Sequence, residues 1–475
     1  MNRFMDYLKR IWAVVDDRTG ISELVGPLLN HLVPPNTGWA YVFGSATLIA
    51  FTIQVVTGIA LATAYIPSTQ DAYNSLQFIS NSSFGHVLRG MHYFGASAMV
   101  VLVGIHAVRV FLMGSFKFPR EANWLTGLLL LALTLGMGFT GQLLRWDQNA
   151  IWSVVVGAEM AGKAPIVGDL IAKFLLAGQT IGGATLSRFA AFHVFFIPAL
   201  IFGFLGFHLF LVIRNGISEP PEPGRVVDPK TYRSWYEKLL QERGVPFWPH
   251  VAWRDVVFGA GVVLVILALA LIFGAPPLGS PPDPTLIQAN PRPDWYLLWF
   301  FALLAMSPPS LETAVILLFP LAGGLLLMAL PFVANRGERS YKRRPWAVGA
   351  VLMVVLMIGT LGVAGKRANW SPDFNPTPLP AAVVGADSGP VAEGAVLFNE
   401  RGCQNCHMIA GYGGRRGPDL TTVGSRLTAG QMTIRIANGG TNMPAFAGTL
   451  SPDEMNKLVA FLQSRTTANP EIAIK

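Results

Sequence analysis

Four histidines and one five-residue cluster carry most of the chemistry open to this chain. His92 and His106 lie fourteen residues apart in one apolar stretch, and His193 and His208 fifteen apart in another. At ~1.5 Å and ~100° per residue, each pair spans about 21 Å of helix and stays within about 60° of one face. Two such helices facing each other bring His92 to His193 and His106 to His208. Each meeting offers two axial imidazoles with a slot for a flat macrocycle between them. A lone histidine in hydrocarbon could equally be a satisfied polar residue packing two helices; two matched pairs argue for function. Zinc fits poorly, because each pair has no Cys or carboxylate close in sequence.

Glycines repeat the interval. Gly44 and Gly58 are fourteen apart in one further apolar stretch, and Gly127 and Gly141 in another. A missing side chain lets a bulky ring come close to a backbone. Glycine also serves ordinary packing of membrane helices, so the shared interval is what gives these weight. Arg89 and Arg109 sit three residues from His92 and His106, where a guanidinium could hold a haem propionate. For Arg109, an interfacial arginine stretching to the headgroups is an open alternative.

The cluster is Cys403-Gln404-Asn405-Cys406-His407, the C-x-x-C-H signature of covalent haem attachment. Its thiols add to the haem vinyl groups, and His407 supplies an axial imidazole. Further along the chain, NMPAF resembles a motif of class I cytochromes c, and that resemblance implies Met443 as the sixth ligand, ahead of Met432 and Met408, which lack the following proline. These are the only two cysteines, so no disulfide framework exists.

The elements that position these groups are membrane helices. Of 475 residues, 52% are hydrophobic and 13% charged, about half the charge of an ordinary soluble domain. Seven stretches can cross roughly 30 Å of hydrocarbon: 37–66, 90–108, 121–144, 189–213, 256–275, 313–335 and 345–365. The formal charge of +8 does not point to nucleic acid, because Lys and Arg gather in alternate gaps between these stretches. Residues 67–85 hold none, whereas 214–243 and 336–344 are rich in them. Positive charge marks the cytoplasmic side, so the N-terminus is expected inside and everything after the seventh span outside. Residues 1–36 read as an amphipathic surface segment rather than a signal peptide. Short helices on the outer surface are expected over 145–188. A Pro-rich linker (371–385) then leads to a small domain over 386–475, whose stretch SPDEMNKLVAFLQS reads as a Ser-capped amphipathic helix.

The motifs support a resemblance. RGMHYFGASAMVVLVGIHAVRVFLMGSFKFPRE, TGQLLRWDQ and TLSRFAAFH…GFHLFLVIRNGIS resemble the cytochrome b family of bc-type complexes over about residues 35–365. The fifteen-residue interval and RNGIS are closest to the chloroplast and cyanobacterial type, in which a four-helix and a three-helix subunit are separate chains. Here they look fused, as 37–215 and 216–370. GAVLFNERGCQNCH, GPDL and NMPAF resemble class I cytochromes c. The implied fold is all-α: a polytopic bundle of seven transmembrane helices with a C-terminal soluble all-α cytochrome c domain.

The resemblance implies two non-covalent bis-His haems b, one covalent His/Met haem c, and quinol as substrate. Pro293-Asp294-Trp295-Tyr296 resembles the Pro-Glu-Trp-Tyr motif of the quinol oxidation site, which makes Asp294 the expected proton acceptor, one methylene shorter than the usual Glu. Out of this context the same four residues could simply cap a loop. Opposite it, RWDQNAIW has Arg145 where relatives have Pro, and Ile151 where they have an aromatic. Arg214, His250 and Asp255 are inner quinone-site candidates that ordinary interface residues would also resemble. The first span has no cysteine, so the extra covalent haem of chloroplast-type relatives is not expected.

A respiratory or photosynthetic bc complex in a bacterial cytoplasmic membrane follows from the resemblance. One electron from quinol would leave to a Rieske iron–sulfur protein, necessarily a separate subunit. The other would cross from the outer to the inner haem b and reduce quinone, with proton release outside. The expected partners are that Rieske protein, other cytochrome c subunits, a soluble electron acceptor, membrane lipid and a second copy of the complex. A dihaem membrane anchor serving a dehydrogenase is the rival reading. Such anchors have fewer helices and no need of the Pro-Asp-Trp-Tyr segment.

Overall fold

The computed structural model describes residues 2–283, 291–308, 310–367, 377–414, 417–440 and 443–466. Residues 371–376 of the expected linker lie outside that set.

Seven helices among the described residues are long and apolar enough to span a bilayer. They are Phe43–Ala62, Ser83–Leu112, Glu121–Leu143, Gly183–Asn215, Ala252–Ile272, Glu312–Val333 and Pro345–Arg367, the first to seventh spans below. A bilayer offers the backbone no partner, so each apolar stretch closes its own hydrogen bonds as helix. Leu326, Val333 and Met353 are 73%, 81% and 70% exposed, which suits side chains that face lipid rather than water.

Local chemistry sets the ends. Ser82 Oγ accepts from the Gly85 amide at 3.1 Å, so the second span begins seven residues before the purely apolar stretch. Gly216, at φ +67°, stops the fourth. Two surface helices, Gln148–Gly162 and Gly168–Leu176, fill the segment between the third and fourth spans. The first of them is capped by Asp147 Oδ1, which accepts from the Ala150 amide at 2.9 Å. A further apolar helix, Leu298–Met306, follows Asp294 and is too short to cross.

The fourth span carries a π-bulge at Phe192–Phe196, around His193. Pro198 has no amide hydrogen to give the Val194 carbonyl, which loosens the ladder there. A π-bulge takes up one extra residue. It therefore converts the fifteen-residue interval into the angular equivalent of fourteen, and both histidine pairs share one register.

The two halves of the membrane bundle join closely. A Cβ on Gly90 in the second span would lie 3.0 Å from Ala270 Cβ in the fifth. On the expected inner side, Arg120 donates to the Gly216 carbonyl at 2.9 Å and to Tyr232 Oη at 2.8 Å, Tyr232 donates to Glu219 at 2.7 Å, and Arg339 pairs with Glu219.

The C-terminal unit packs helices Pro390–Glu400, Ala429–Asn438 and Pro452–Gln463 around Phe398, Ile436, Leu458 and Phe461. Ser451 Oγ caps the last helix by accepting from the Glu454 amide at 3.2 Å. Leu379, Val383 and Val384, at the end of the expected linker, pack into the same core. Among its described residues the strand pairing is a short hairpin, Met408–Ile409 against Tyr412–Gly413, and an isolated bridge between Gly440 and Met443.

Candidate functional site

The second and fourth spans bring His92 and His193 together, with ring centroids 6.2 Å apart. An iron bonded to each Nε2 at about 2 Å would set the centroids about 6 Å apart, so the residues present fit a bis-imidazole haem. His106 and His208 lie within electrostatic reach of each other at a second level of the same two spans, the expected inner one.

The glycine notches face the imidazoles. A Cβ on Gly58 would lie 3.2 Å from the His92 ring, and one on Gly141 2.6 Å from His193. At the inner level the distances are 3.2 Å from Gly44 to His106 and 3.6 Å from Gly127 to His208. Thus each histidine leans into a gap on the first or third span, and the four form two tiers. Threonines, which the sequence reading passed over, complete the arrangement. Thr57, Thr126 and Thr140 contact the Nδ1 atoms of His92, His208 and His193. Their signal was the Thr-Gly dipeptide at 57–58, 126–127 and 140–141.

The two arginines differ. Arg109 lies 3.7 Å over the Tyr41 ring, with Nε and Nη2 buried and lacking partners, which suits an anionic group such as a propionate. Arg89 donates instead to Ser80 Oγ at 2.9 Å and to the Pro276 carbonyl at 2.7 Å.

Asp294 accepts from Tyr296 Oη at 3.2 Å, and Trp295 Nε1 donates to Ser97 Oγ at 3.3 Å. Tyr296 Oη fits only because residue 138 is glycine: a Cβ there would be 2.1 Å away. Burial pushes the Asp294 carboxyl above its ordinary range, while the Arg145 charge and the Tyr296 hydroxyl pull the other way. Burial and neighbouring Asp294 raise Tyr296, keeping it a neutral donor. Arg145 lies 3.4 Å from Asp147, whose carboxylate already holds the Ala150 and Gly279 amides. Ile151 is 1% exposed, packed in a core with Trp146 and Val154.

Of the inner candidates, Asp255 accepts from Ser45 Oγ at 2.6 Å, a partner the sequence reading did not include. Arg214 and His250 are exposed.

In the C-terminal unit, His407 Nδ1 meets the Pro418 carbonyl at 2.9 Å, so that ring nitrogen is the donor and Nε2 is left as a ligand. Gly417 lets the ring fit, since a Cβ there would be 2.5 Å from it. Burial lowers the His407 pKa and pushes the Cys403 thiol up to about 12. Met443 packs against the core, and its backbone exchanges hydrogen bonds of 3.0 and 2.9 Å with Gly440. Met432 is 2% exposed within the core, and Met408 belongs to the short hairpin.

Three family models match: "Cytochrome b/b6/petB" over residues 28–216, "Cytochrome b(C-terminal)/b6/petD" over 281–374, and "Cytochrome C oxidase, cbb3-type, subunit III" over 389–462. The menaquinol:cytochrome c reductase cytochrome b subunit of Bacillus subtilis is 39% identical over 45% of this chain and 99% of its own length. Cytochrome b6 of Heliobacterium mobile is 41% identical over 42% of this chain and 95% of its own. A solved hyperthermophilic respiratory Complex III chain superposes with a TM-score of 0.63 at 25% identity, covering 75% of this chain and 91% of that one. With its paired helical histidines, its matches across both halves of the bundle and its haem-attachment motif, this chain belongs to the cytochrome b/b6 family and carries a cytochrome c domain fused at its C-terminus.

Proposed function

We propose that this chain is the quinol-oxidising, membrane-spanning subunit of a bc complex that works with a separate Rieske protein. The observation that carries the reading is the His92–His193 pair, 6.2 Å apart between the Gly58 and Gly141 notches. His92 with His193 and His106 with His208 hold two haems b, while Cys403, Cys406, His407 and Met443 hold haem c. When bound, these groups supply one-electron carriers at two depths in the membrane and on its outer side.

The protein's own work is proton handling and positioning. Asp294, part-buried beside Tyr296, takes a proton from quinol and releases it outward. Tyr296 orients that carboxylate, and Gly138 makes room for the phenol. Asp255 with Ser45 stands at the inner end, where quinone is reduced. The alternation of Lys and Arg between the spans supports a cytoplasmic N-terminus and a cytochrome c domain on the outer side. The Bacillus relative's menaquinol is the first substrate to assay.

Adding an oxidant for the outer carriers to the quinol-supplied complex should drive haem b more reduced. A dihaem anchor without bifurcation would show haem b oxidation instead, and that result would overturn the reading. Asp294→Asn should slow quinol oxidation by about a hundredfold or more with all haem spectra intact. Unchanged turnover would remove Asp294 from the mechanism.

A further inference from the structure

Three of the four glycine notches follow a threonine, and three of the four imidazoles rest on one. Thr57 Oγ1 donates to the Ile53 carbonyl at 2.6 Å, Thr126 to Ala122 at 2.8 Å and Thr140 to Gly136 at 2.8 Å. A hydroxyl has a single proton to give. With that proton committed one turn back along its own helix, each oxygen can only accept at the ring it touches. Those contacts are 2.9 Å to His92 Nδ1, 2.8 Å to His208 Nδ1 and 3.2 Å to His193 Nδ1. The Asn123 and Met137 carbonyls also lie against His208 and His193, and a carbonyl likewise only accepts. Every partner therefore requires hydrogen on the ring nitrogen facing it, which leaves the Nε2 lone pairs for the gap between the helices.

We infer that Thr57, Thr140 and Thr126 are positioning residues that hold His92, His193 and His208 as Nδ1–H donors, and thereby lower the reduction potential of the haem each imidazole ligates. An imidazole that gives its N–H to an oxygen becomes a more basic ligand at its other nitrogen. A more basic ligand favours ferric over ferrous iron. The inference rests on the haem reading above and adds an asymmetry to it. The outer level has a threonine on both sides. The inner level has one, because Gly44 follows Phe43 where the other notches have threonine.

The three sites also rank. The His193 and His208 rings keep a backbone carbonyl when their threonine is removed, whereas for His92 the described acceptor is Thr57. In redox titrations of the haem-loaded full-length protein, Thr57→Val should move the outer haem b midpoint upward and leave the inner one in place. Thr140→Val and Thr126→Val should give smaller upward shifts, on the outer and inner haem respectively. Thr57→Ser, which keeps the hydroxyl, should titrate as the parent does. Unmoved midpoints in a fully loaded Thr57→Val protein would overturn the inference, as would a serine variant shifted as far as the valine one. If Thr57→Val fails to load the outer haem, full loading of Thr57→Ser supports the positioning role, and equal loss in both overturns it. A parent protein without two bis-imidazole haems would instead defeat the underlying haem reading, whatever the variants do.

Discussion

Asp294 works against its own burial. A carboxylate in a part-buried pocket prefers its proton, and the nearby Arg145 charge offsets that preference. Tyr93 lies within electrostatic reach of both residues, and Arg89 within reach of Arg145, so the arginine's charge is shared over one compact outer cluster. A base must be ionised to accept a proton, so with Asp294 in its proposed role the rate of quinol oxidation should rise with pH through the Asp294 pKa. Removing Arg145 raises that pKa further. Arg145→Leu should therefore move the acid limb of quinol oxidation upward by about one pH unit, and Arg145→Lys should leave it close to the parent. A pH–rate profile of each variant checks this; coincident leucine and parent profiles would contradict it. At this scale the sequence is a good guide to residue type and a poor one to partners. The four histidines and Asp294 are legible because spacing and motif single them out. Thr57, Ser45 and Gly138 are not, since a threonine, serine or glycine in a membrane helix has many ordinary uses and only the neighbouring helix defines its role.

Helix geometry explains why the histidine intervals differ. Fourteen residues on the second span and fifteen on the fourth would disagree by about 100° in a uniform helix. The bulge at Phe192–Phe196, beside Pro198, removes the disagreement. Counting apolar residues locates a span but does not reveal a bulge inside it, because a change from i−4 to i−5 bonding leaves composition untouched. The same limit applies to the helix Leu298–Met306, which reads as apolar sequence without enough length to declare itself a span. In the proposed function the notches are the element-scale determinant of cofactor binding. Gly141→Leu would drive a side chain into the His193 ring, where even a Cβ comes within 2.6 Å. That variant should lose the outer haem and keep the inner, halving haem b relative to haem c in pyridine haemochrome spectra. Retention of both haems would show that the third span can retreat.

Over the whole molecule, seven spans among the described residues and the alternating basic gaps support the proposed topology, with the N-terminal segment and the cytochrome c domain on opposite sides of the membrane. Covalent haem c attachment outside the cytoplasm, as proposed for Cys403 and Cys406, would agree with that parity. A membrane-impermeant maleimide applied to intact cells should label Ser388→Cys, exposed at the start of the cytochrome c domain, and not Lys238→Cys, exposed between the fourth and fifth spans. The reverse pattern would invert the topology. Overall architecture was legible because lipid imposes length and hydropathy on every span. How the halves lock together was not. The Arg120–Tyr232–Glu219–Arg339 cluster is built from residues far apart in the chain that look like ordinary surface charges until the fold buries them.

In the proposed function, imidazoles on the second and fourth spans meet in two tiers and hold two haems. Low-temperature electron paramagnetic resonance of the oxidised, purified protein, with haem quantified in the same sample, tests this most directly. Two low-spin bis-imidazole ferric centres for each His/Met haem c are expected, and His92→Ala should abolish one of the two. A loaded protein with a single such centre, or with none, would contradict the account.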